Sequence, residues 1–421
     1  MADAFTPDVL VVGAGPAGVA AACEAAAAGR SVTVLDDNPA PGGQIWRGGR
    51  RLAPPGPATL WLDRLAASGA VVRPGTAVID VVADGDGRTI LTRSAAGTER
   101  WRPGTVVLAT GARERFVPFP GWTLPGVVGA GGLQALVKQG FAVAGRRIVI
   151  AGSGPLLLAV AELLVRKGAV VAAVAEQAPL RRLAAFGAGL VLHPHKLVQA
   201  VGIRRTIGGV LRAGTFPERV RQDGDALVVS LVSGPPGRER HDDIRCDILA
   251  CGFGLVPTVE LARALGCTID SGAVAVDDLG RTDVPGVLAA GECTGVGGVD
   301  AAIVEGQVAG LAVAGRTDAA HRLVPARRAA SRFARALDRT FALDPRLARL
   351  ATDDTLVCRC EDVAAGRLRC LTGWREAKLL TRIGMGPCQG RVCGPAAETL
   401  FGWAPADVRP PLFPVPLGDV S

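Results

Sequence analysis

The sequence predicts an α/β chain: two βαβ folds, one after the other, then a small α-rich cysteine module at the C-terminal end. Three observations predict it. Gly13-Ala-Gly15-Pro-Ala-Gly18 stands between a β-branched run and an alanine-rich run. Gly152-Ser-Gly154-Pro-Leu-Leu157 repeats that arrangement later in the chain. Five of the ten cysteines crowd into the last 64 residues. A length of 421 residues leaves room for two or three domains at about 150 residues each.

Composition narrows the class. Hydrophobic residues make up 49% and charged residues 20%, which supplies a core and excludes a disordered or fibrous chain. The net charge of +8 comes from 47 basic and 39 acidic residues, of which only Lys138, Lys167, Lys196 and Lys378 are lysines. With no tyrosine and abundant Ala and Gly, this pattern points to codon bias. No long Lys/Arg run interleaves with aromatics, so nucleic acid is not an expected partner. The start of the chain has no basic segment followed by an apolar one, so no targeting segment is expected. The uncharged stretch 116–137 holds three Pro and five Gly and is not a membrane-spanning helix. The expected location is cytoplasmic, at most peripheral to the inner membrane, and ten cysteines there argue against disulfides.

In the first fold, 8–12 reads as a buried parallel strand, the glycine run as a turn, and the segment to about Ala28 as a helix stopped by Gly29. A second strand, 31–35, ends in Asp36 and Asp37. Gly13 permits the tight turn, Gly15 a close backbone approach to a pyrophosphate, and Gly18 close helix–strand packing. Pro16 and Ala17 open a helix whose N-terminus faces the anion. Asp36, 18 residues beyond Gly18, can accept from ribose hydroxyls. Pro41-Gly-Gly43-Gln44-Ile-Trp-Arg47 follows this unit. A buried strand then runs into Ala109-Thr110-Gly111, and a later one, 286–292, ends in Gly291-Glu292. Gly297-Gly298 open a helix from about 299 to 315.

Together these segments resemble the two-dinucleotide-fold flavoproteins, glutathione-reductase-like and thioredoxin-reductase-like, over roughly 7–315. The resemblance implies two Rossmann-like folds with FAD in the first, held by Gly13, Gly15, Pro16, Ala17, Gly18, Asp36, Asp37, Gly43, Gln44 and Arg47. It puts Ala109, Thr110 and Gly111 near the FAD. It puts Gly291 and Glu292 at the ribityl chain, where the family has the shorter Asp. The helix after Gly298 would point its N-terminus at the flavin ring.

The second fold reads as strand 146–151, the turn at Gly152 and Gly154, a helix to Lys167 and a strand ending at Glu176. Leu157 replaces the third small residue and should hold the helix off the strand. Glu176 would repel a 2′-phosphate, which disfavours NADPH. Two readings stay open: a site for NAD or an adenine nucleotide at Gly152 and Gly154, or a fold kept for structure or docking. No Cys-x-x-Cys lies here and no cysteine pair follows the first fold, so neither reductase's dithiol chemistry is expected. His193 and His195 read as loop or core residues.

Near the C-terminal end, Cys358-Arg-Cys360 and Cys388-Gln-Gly-Arg-Val-Cys393 offer four thiolates for a [2Fe–2S] cluster or a zinc ion. Neighbouring glycines would let backbone N–H groups reach the sulfurs. Cys370, in a helical-looking stretch 367–382, reads as a packing residue. The arrangement resembles the bacterioferritin-associated-ferredoxin-like [2Fe–2S] domain, with C-x4-C where that domain has C-x2-C. The stretch 326–343 is amphipathic, with Phe333, Leu337 and Phe341 on one face and Arg328, Arg332, Arg335 and Arg339 on another.

Nearly the whole chain resembles the A or alpha subunits of heteromeric bacterial flavin dehydrogenases. That group includes the A subunits of opine oxidases, the B subunits of hydrogen cyanide synthases and the alpha subunits of proline or hydroxyproline dehydrogenases. The segments that carry this are 41–45, 120–126, 152–158, 252–257, 291–298 and 381–391. The resemblance implies an electron-transfer subunit with no catalytic residues of its own for substrate oxidation. Its implied partner is an FAD-containing beta subunit resembling D-amino-acid oxidase. A further candidate partner is a small ferredoxin-like subunit, with a quinone as acceptor. The alternatives are a self-sufficient NAD(P)H-dependent reductase and a scaffold with structural zinc. The expected domains are 1–115 with 277–320, 116–276, a linker helix 321–350, and the cysteine domain 351–421.

Overall fold

A computed structural model describes residues 4–48, 56–84, 87–405, 408–416 and 418. The chain forms two compact units. One holds the residues up to Arg113, Val256–Ala334 and the tail beyond 407; the other holds Glu114–Leu255 and Arg335–Ala406.

The first unit is built on a five-stranded parallel sheet in the order Val287–Ala289, Thr105–Leu108, Val9–Val12, Val32–Leu35, Val71–Arg73. Its central strands are buried along their whole length, as continuous β-branched runs between two covered faces require. The helix Pro16–Ala27 starts at the turn and stops before Gly29, whose φ is +82°. A three-stranded antiparallel sheet, Ala77–Asp84, Gly87–Ser94 and Gly97–Trp101, completes the unit. Trp101 closes it, with its Nε1 donating to Thr92 Oγ1 at 2.8 Å and Phe5 stacked on its ring.

Residues 256–276, expected with the second fold, belong here instead. Leu261, Leu265, Cys267 and Val274 share a core with Leu10, Leu35 and Trp101. Burying those side chains outweighs the continuity of the chain with the fold before them.

The helix Val299–Val313 lies on Pro16–Ala27 almost backbone to backbone. A Cβ on Gly306 would stand 2.1 Å from the Ala17 carbonyl oxygen, and one on Gly310 would stand 2.4 Å from that of Ala21. Only glycine permits this approach.

The second unit repeats the theme. Its parallel sheet runs Leu211–Ala213, Val170–Glu176, Arg147–Ser153, Ile248–Phe253, Val127–Gly129. Helices Ala130–Lys138, Pro155–Arg166, Leu180–Gly189 and Pro194–Ile207 accompany it. An antiparallel meander of Thr215–Asp223, Ala226–Ser233 and Arg240–Cys246 adds a second core around Phe216 and Leu231.

The cysteine module follows, with Leu356–Cys358 paired to Val363–Ala364 and two short helices, Trp374–Thr381 and Cys393–Phe401. The first of these is shorter than the stretch 367–382. It starts after Gly373, where the Thr372 N–H and hydroxyl both bind Glu376, and ends at left-handed Arg382. Cys370 is exposed, so it is not the packing residue its position suggests. The basic amphipathic helix runs Thr317–Thr340, and its Arg328 pairs with Asp278. Among the described residues no helix is long and apolar enough to cross a membrane.

Candidate functional site

In the first unit the strand Val9–Val12 delivers the chain to Gly13, whose φ of +104° no L side chain favours. A Cβ there would meet the Ala109 carbonyl oxygen at 2.2 Å, and one on Gly18 would meet that of Gly13 at 1.8 Å. Gly13 and Gly18 therefore hold strand end and helix together. Gly15 has a different surrounding: only the Gly43 Cα comes near its Cβ position, at 4.0 Å. It opens the helix Pro16–Ala27 with no side-chain cap, leaving the terminal N–H groups free of that competitor.

Asp36 orders this turn from the end of the next strand. It is 5% exposed and accepts the Ala14 N–H at 2.5 Å and the Asn38 N–H and Nδ2 at 2.8 Å. Asp37 points outward and is exposed. The loop with Gly43, Gln44 and Arg47 folds back over the turn, tied by the Gly42 N–H to the Ala14 oxygen at 2.7 Å. Arg47 Nη2 donates to Gln44 and Asn38, while its Nε is buried without a hydrogen-bond partner. A buried guanidinium nitrogen left open is costly. Together with a glycine floor and a helix N-terminus, it fits the diphosphate half of a dinucleotide such as FAD.

Ala109-Thr110-Gly111 ends the adjacent strand, and Thr110 Oγ1 donates to the Thr258 oxygen at 2.6 Å. Gly291, with φ +81°, starts the last turn, where its Cβ would press on that of Ala17 at 2.7 Å. Glu292 is not a solvated turn acid. Burial pushes its pKa up, the Gly298 N–H opposes that, and Glu305 adds to the rise. Glu305 escaped sequence reading. Its carboxylate accepts the Gly291 N–H at 2.9 Å and the Thr294 hydroxyl at 3.1 Å, with Arg327 4.0 Å away. Its one signal is an acid beyond the first turn of a mostly apolar helix.

In the second unit Gly152 serves the sheet: its Cβ would stand 1.8 Å from the Gly252 oxygen. Gly154 has open space around it at φ +108°. Leu157 does not hold the helix off. It is 1% exposed and finds room because the facing strand carries Gly252, whose Cβ position lies 3.6 Å from Leu157 Cδ2. Glu176 accepts the Gly154 N–H at 2.7 Å and the Ala178 N–H at 2.8 Å. Burial pushes its pKa up to about 7 against those bonds. Glu114, a second missed acid, caps helix Ala130–Lys138 through the N–H groups of Gly131 at 2.6 Å and Gly132 at 3.0 Å. His193 precedes the helix Pro194–Ile207 and His195 lies within it, exposed.

The four paired cysteines do come together. Cys358 and Cys393 are buried, Cys388 half-buried and Cys360 exposed. The Cys393 thiol donates to Cys358, whose sulfur also receives N–H groups of Gly384, Glu361 and Cys360, lowering its pKa to about 6. Cys393 likewise donates to Cys388, whose sulfur receives N–H groups of Val392 and Gly390, lowering its pKa to about 5. Cys393, between two sulfurs that share its proton, is pushed up. The Cys388 N–H donated to Cys360 pulls that thiol down, but burial and the sulfurs of Cys388 and Cys358 outweigh it and raise it. Gly386 lets the backbone pass Cys360, whose Cβ would lie 2.2 Å from a Cβ at 386. Among the described residues no set of three or more His, Cys, Asp or Glu side chains forms a ready cage for a single ion. Cys393 instead stands between Cys358 and Cys388, and Cys360 lies against Cys388. Four thiol donors and several N–H···S contacts fit a thiolate-held iron–sulfur centre in donor chemistry.

Comparison with known proteins identifies the family. Residues 7–315 match the pyridine nucleotide-disulphide oxidoreductase family. The opine oxidase A subunit of Rhizobium meliloti is 34% identical over 98% of both chains. Hydrogen cyanide synthase subunit HcnB of Pseudomonas aeruginosa is 32% identical over 97% of both. Among solved structures, L-proline dehydrogenase from P. horikoshii superposes on all of this chain and 81% of its own at a TM-score of 0.70 and 17% identity. T. acidophilum thioredoxin reductase superposes on 74% of this chain and 99% of its own, at 0.57 and 22%. The matched span covers the glycine turns of both units, and the full-length matches carry through the cysteine module: the chain is an oxidoreductase of the pyridine nucleotide-disulphide oxidoreductase family, a flavoprotein of the same type as the opine oxidase A subunits.

Proposed function

We propose that the chain is the FAD- and [2Fe–2S]-containing electron-transfer subunit of a heteromeric amino-acid or opine-type dehydrogenase. Substrate oxidation takes place on a partner subunit resembling D-amino-acid oxidase, and electrons leave to a quinone or similar acceptor. The observation that carries this is the meeting of Cys358, Cys360, Cys388 and Cys393, with backbone N–H groups aimed at their sulfurs, in a chain that also holds a glycine cradle of flavoprotein type. Bound in these places, FAD supplies two-electron chemistry and an iron–sulfur centre one-electron transfer.

The chain's own residues bind and orient. Gly15 and the first N–H groups of helix Pro16–Ala27 would receive the diphosphate, Gly13 and Gly18 hold strand end and helix close together behind it, Asp36 ties the turn, and Arg47 brings positive charge to the loop above. Ala109, Thr110, Gly111, Gly291 and Glu292 would border the ribityl chain. Glu305, through Gly291 and Thr294, fixes the turn that presents Glu292. In the module, N–H donors from Gly384, Glu361, Gly390 and Val392 stabilise negative charge on sulfur.

The test is the visible spectrum of the purified chain with iron and acid-labile sulfide analysis, before and after anaerobic NADH. Flavin peaks with iron–sulfur shoulders that NADH leaves unchanged, and that fade once the partner subunit, with its amine substrate, is added, are the expected result. Rapid bleaching by NADH alone would make the chain a self-sufficient reductase. Zinc without sulfide would make the module a structural knob.

A further inference from the structure

The second fold has the parts of a nucleotide site: a Gly-x-Gly turn, a helix beginning behind it and an acid at the end of the next strand. In open α/β sheets a nucleotide lies outside the carboxyl ends of the strands. In this unit those ends are Ser153 and Glu176-Gln177, and a segment of the chain itself lies across them. The Ser153 hydroxyl donates to the Phe341 oxygen at 2.8 Å. Gln177 Nε2 donates to the Ala342 oxygen at 3.1 Å, to that of Phe341 at 3.4 Å and to Ser153 Oγ at 2.9 Å. Gln177 Oε1 accepts the Asp344 N–H at 2.8 Å.

The strap is anchored on both sides. The Phe341 ring meets Phe186 edge to face at 5.7 Å, on the helix that follows Glu176. Asp344 caps the next turn through the Arg346 N–H, and Arg346 continues to the Gly234 oxygen and the face of Phe216. Leu347 is fully buried in the core of the same unit. The first fold offers the control within the same molecule. Its residue after the ribose acid, Asp37, is exposed, whereas Gln177 at the same topological place is 2% exposed.

We infer that the crevice of the second fold is an intramolecular docking site for the segment Phe341–Asp344, which seats the cysteine module and shuts out NAD(H). The residues of that crevice therefore do not fit a dinucleotide, and electrons from NADH do not enter here. The inference stands independently of the relay reading, which concerns the first fold and the cysteines.

The experiment is hydrogen–deuterium exchange on the full chain, wild type and the Ser153→Ala/Gln177→Ala variant, with calorimetric titration of the wild type by NAD and NADH. The expected results are slow exchange of the peptide 341–347 in wild type, unchanged by NADH, and no binding heat up to about 1 mM nucleotide. In the variant that peptide should exchange about a hundredfold faster, as loss of the three hydrogen bonds made by Ser153 and Gln177 predicts, with flavin content and exchange elsewhere retained. Unchanged exchange in the variant, or binding of NADH by wild type below about 1 mM, overturns the inference. A variant that unfolds would show exchange rising throughout; Gln177→Glu alone, which keeps the acceptor for Asp344 but loses the donor, then supplies the same comparison.

Discussion

One substitution made at two places should have opposite effects. Gly202 lies inside the helix Pro194–Ile207 with nothing within 4 Å of its Cβ position. Gly306 lies inside Val299–Val313 with the Ala17 oxygen 2.1 Å from its own. Each Gly→Ala change gains up to about 1 kcal/mol of helix propensity. At Gly202 nothing opposes it, so Gly202→Ala should raise the unfolding midpoint by roughly 2 °C. At Gly306 the methyl must be given roughly 1 Å more than the helices allow, against a backbone that cannot rotate away. Overpacking of this kind costs about 1–3 kcal/mol, and a backbone oxygen at that distance puts Gly306→Ala at the upper end. The net loss of about 1–2 kcal/mol corresponds to a fall of roughly 3–6 °C for a unit of this size. Because the helix also carries Glu305 and begins beside Glu292, flavin content should fall with it. Differential scanning fluorimetry with flavin fluorescence reads both. A Gly306→Ala protein as stable and as yellow as wild type would refute the packing argument.

Other outcomes follow from the same structure. Gly15→Val should lose FAD while the apo-protein keeps its fold, because the space at Gly15 faces the ligand; Gly13→Ala should lose both, since its methyl meets the Ala109 oxygen at 2.2 Å. Near-ultraviolet circular dichroism beside flavin absorbance separates the two cases. Cys388→Ser should abolish the iron–sulfur bands with FAD retained, and Cys370→Ser, at an exposed position, should leave the spectrum untouched. Stability should fall as pH rises. Burial lifts Glu176 from 4.5 to about 7 in the folded chain, so the folded state binds the extra proton. Its stabilisation is complete below the unfolded value and lost as pH climbs through the folded one, on the order of 3 kcal/mol. Urea midpoints at acid and mildly alkaline pH check this, and Glu176→Gln should flatten the difference.

What was legible in the sequence was local. Gly13, Gly15, Gly18 and Asp36 lie within one βαβ unit, so their spacing carries their geometry, and the C-x-C and C-x4-C pairs announced themselves by crowding. The illegible parts are made by distant segments. Nothing near Ser153 or Gln177 signals that Phe341 will lie on them, and nothing near Gly291 signals Glu305. Leu157 misled because its compensation, Gly252, sits on another strand. Residues 256–276 misled because chain continuity says nothing about which core Leu261 and Leu265 will join. Cys370 misled because a helical spacing was read across Thr372-Gly373, where a cap begins the helix anew.

The two folds also show how the same motif can serve its own turn with or without a ligand. Asp36 accepts the Ala14 and Asn38 N–H groups, and Glu176 accepts those of Gly154 and Ala178. In each fold the acid ties its own turn to the next strand, so it is retained for the turn whether or not a ribose arrives. What separates them is the strap. To enter the second crevice a nucleotide would have to break the bonds from Ser153 to Phe341, from Gln177 to Ala342 and from Asp344 to Gln177. At about 1 kcal/mol each, that is about 3 kcal/mol, or a hundredfold or more in affinity. A site of about 10 μM becomes one beyond about 1 mM without any change in the glycine motif. Selectivity for the first fold therefore rests on a segment nearly two hundred residues away from the turn it covers.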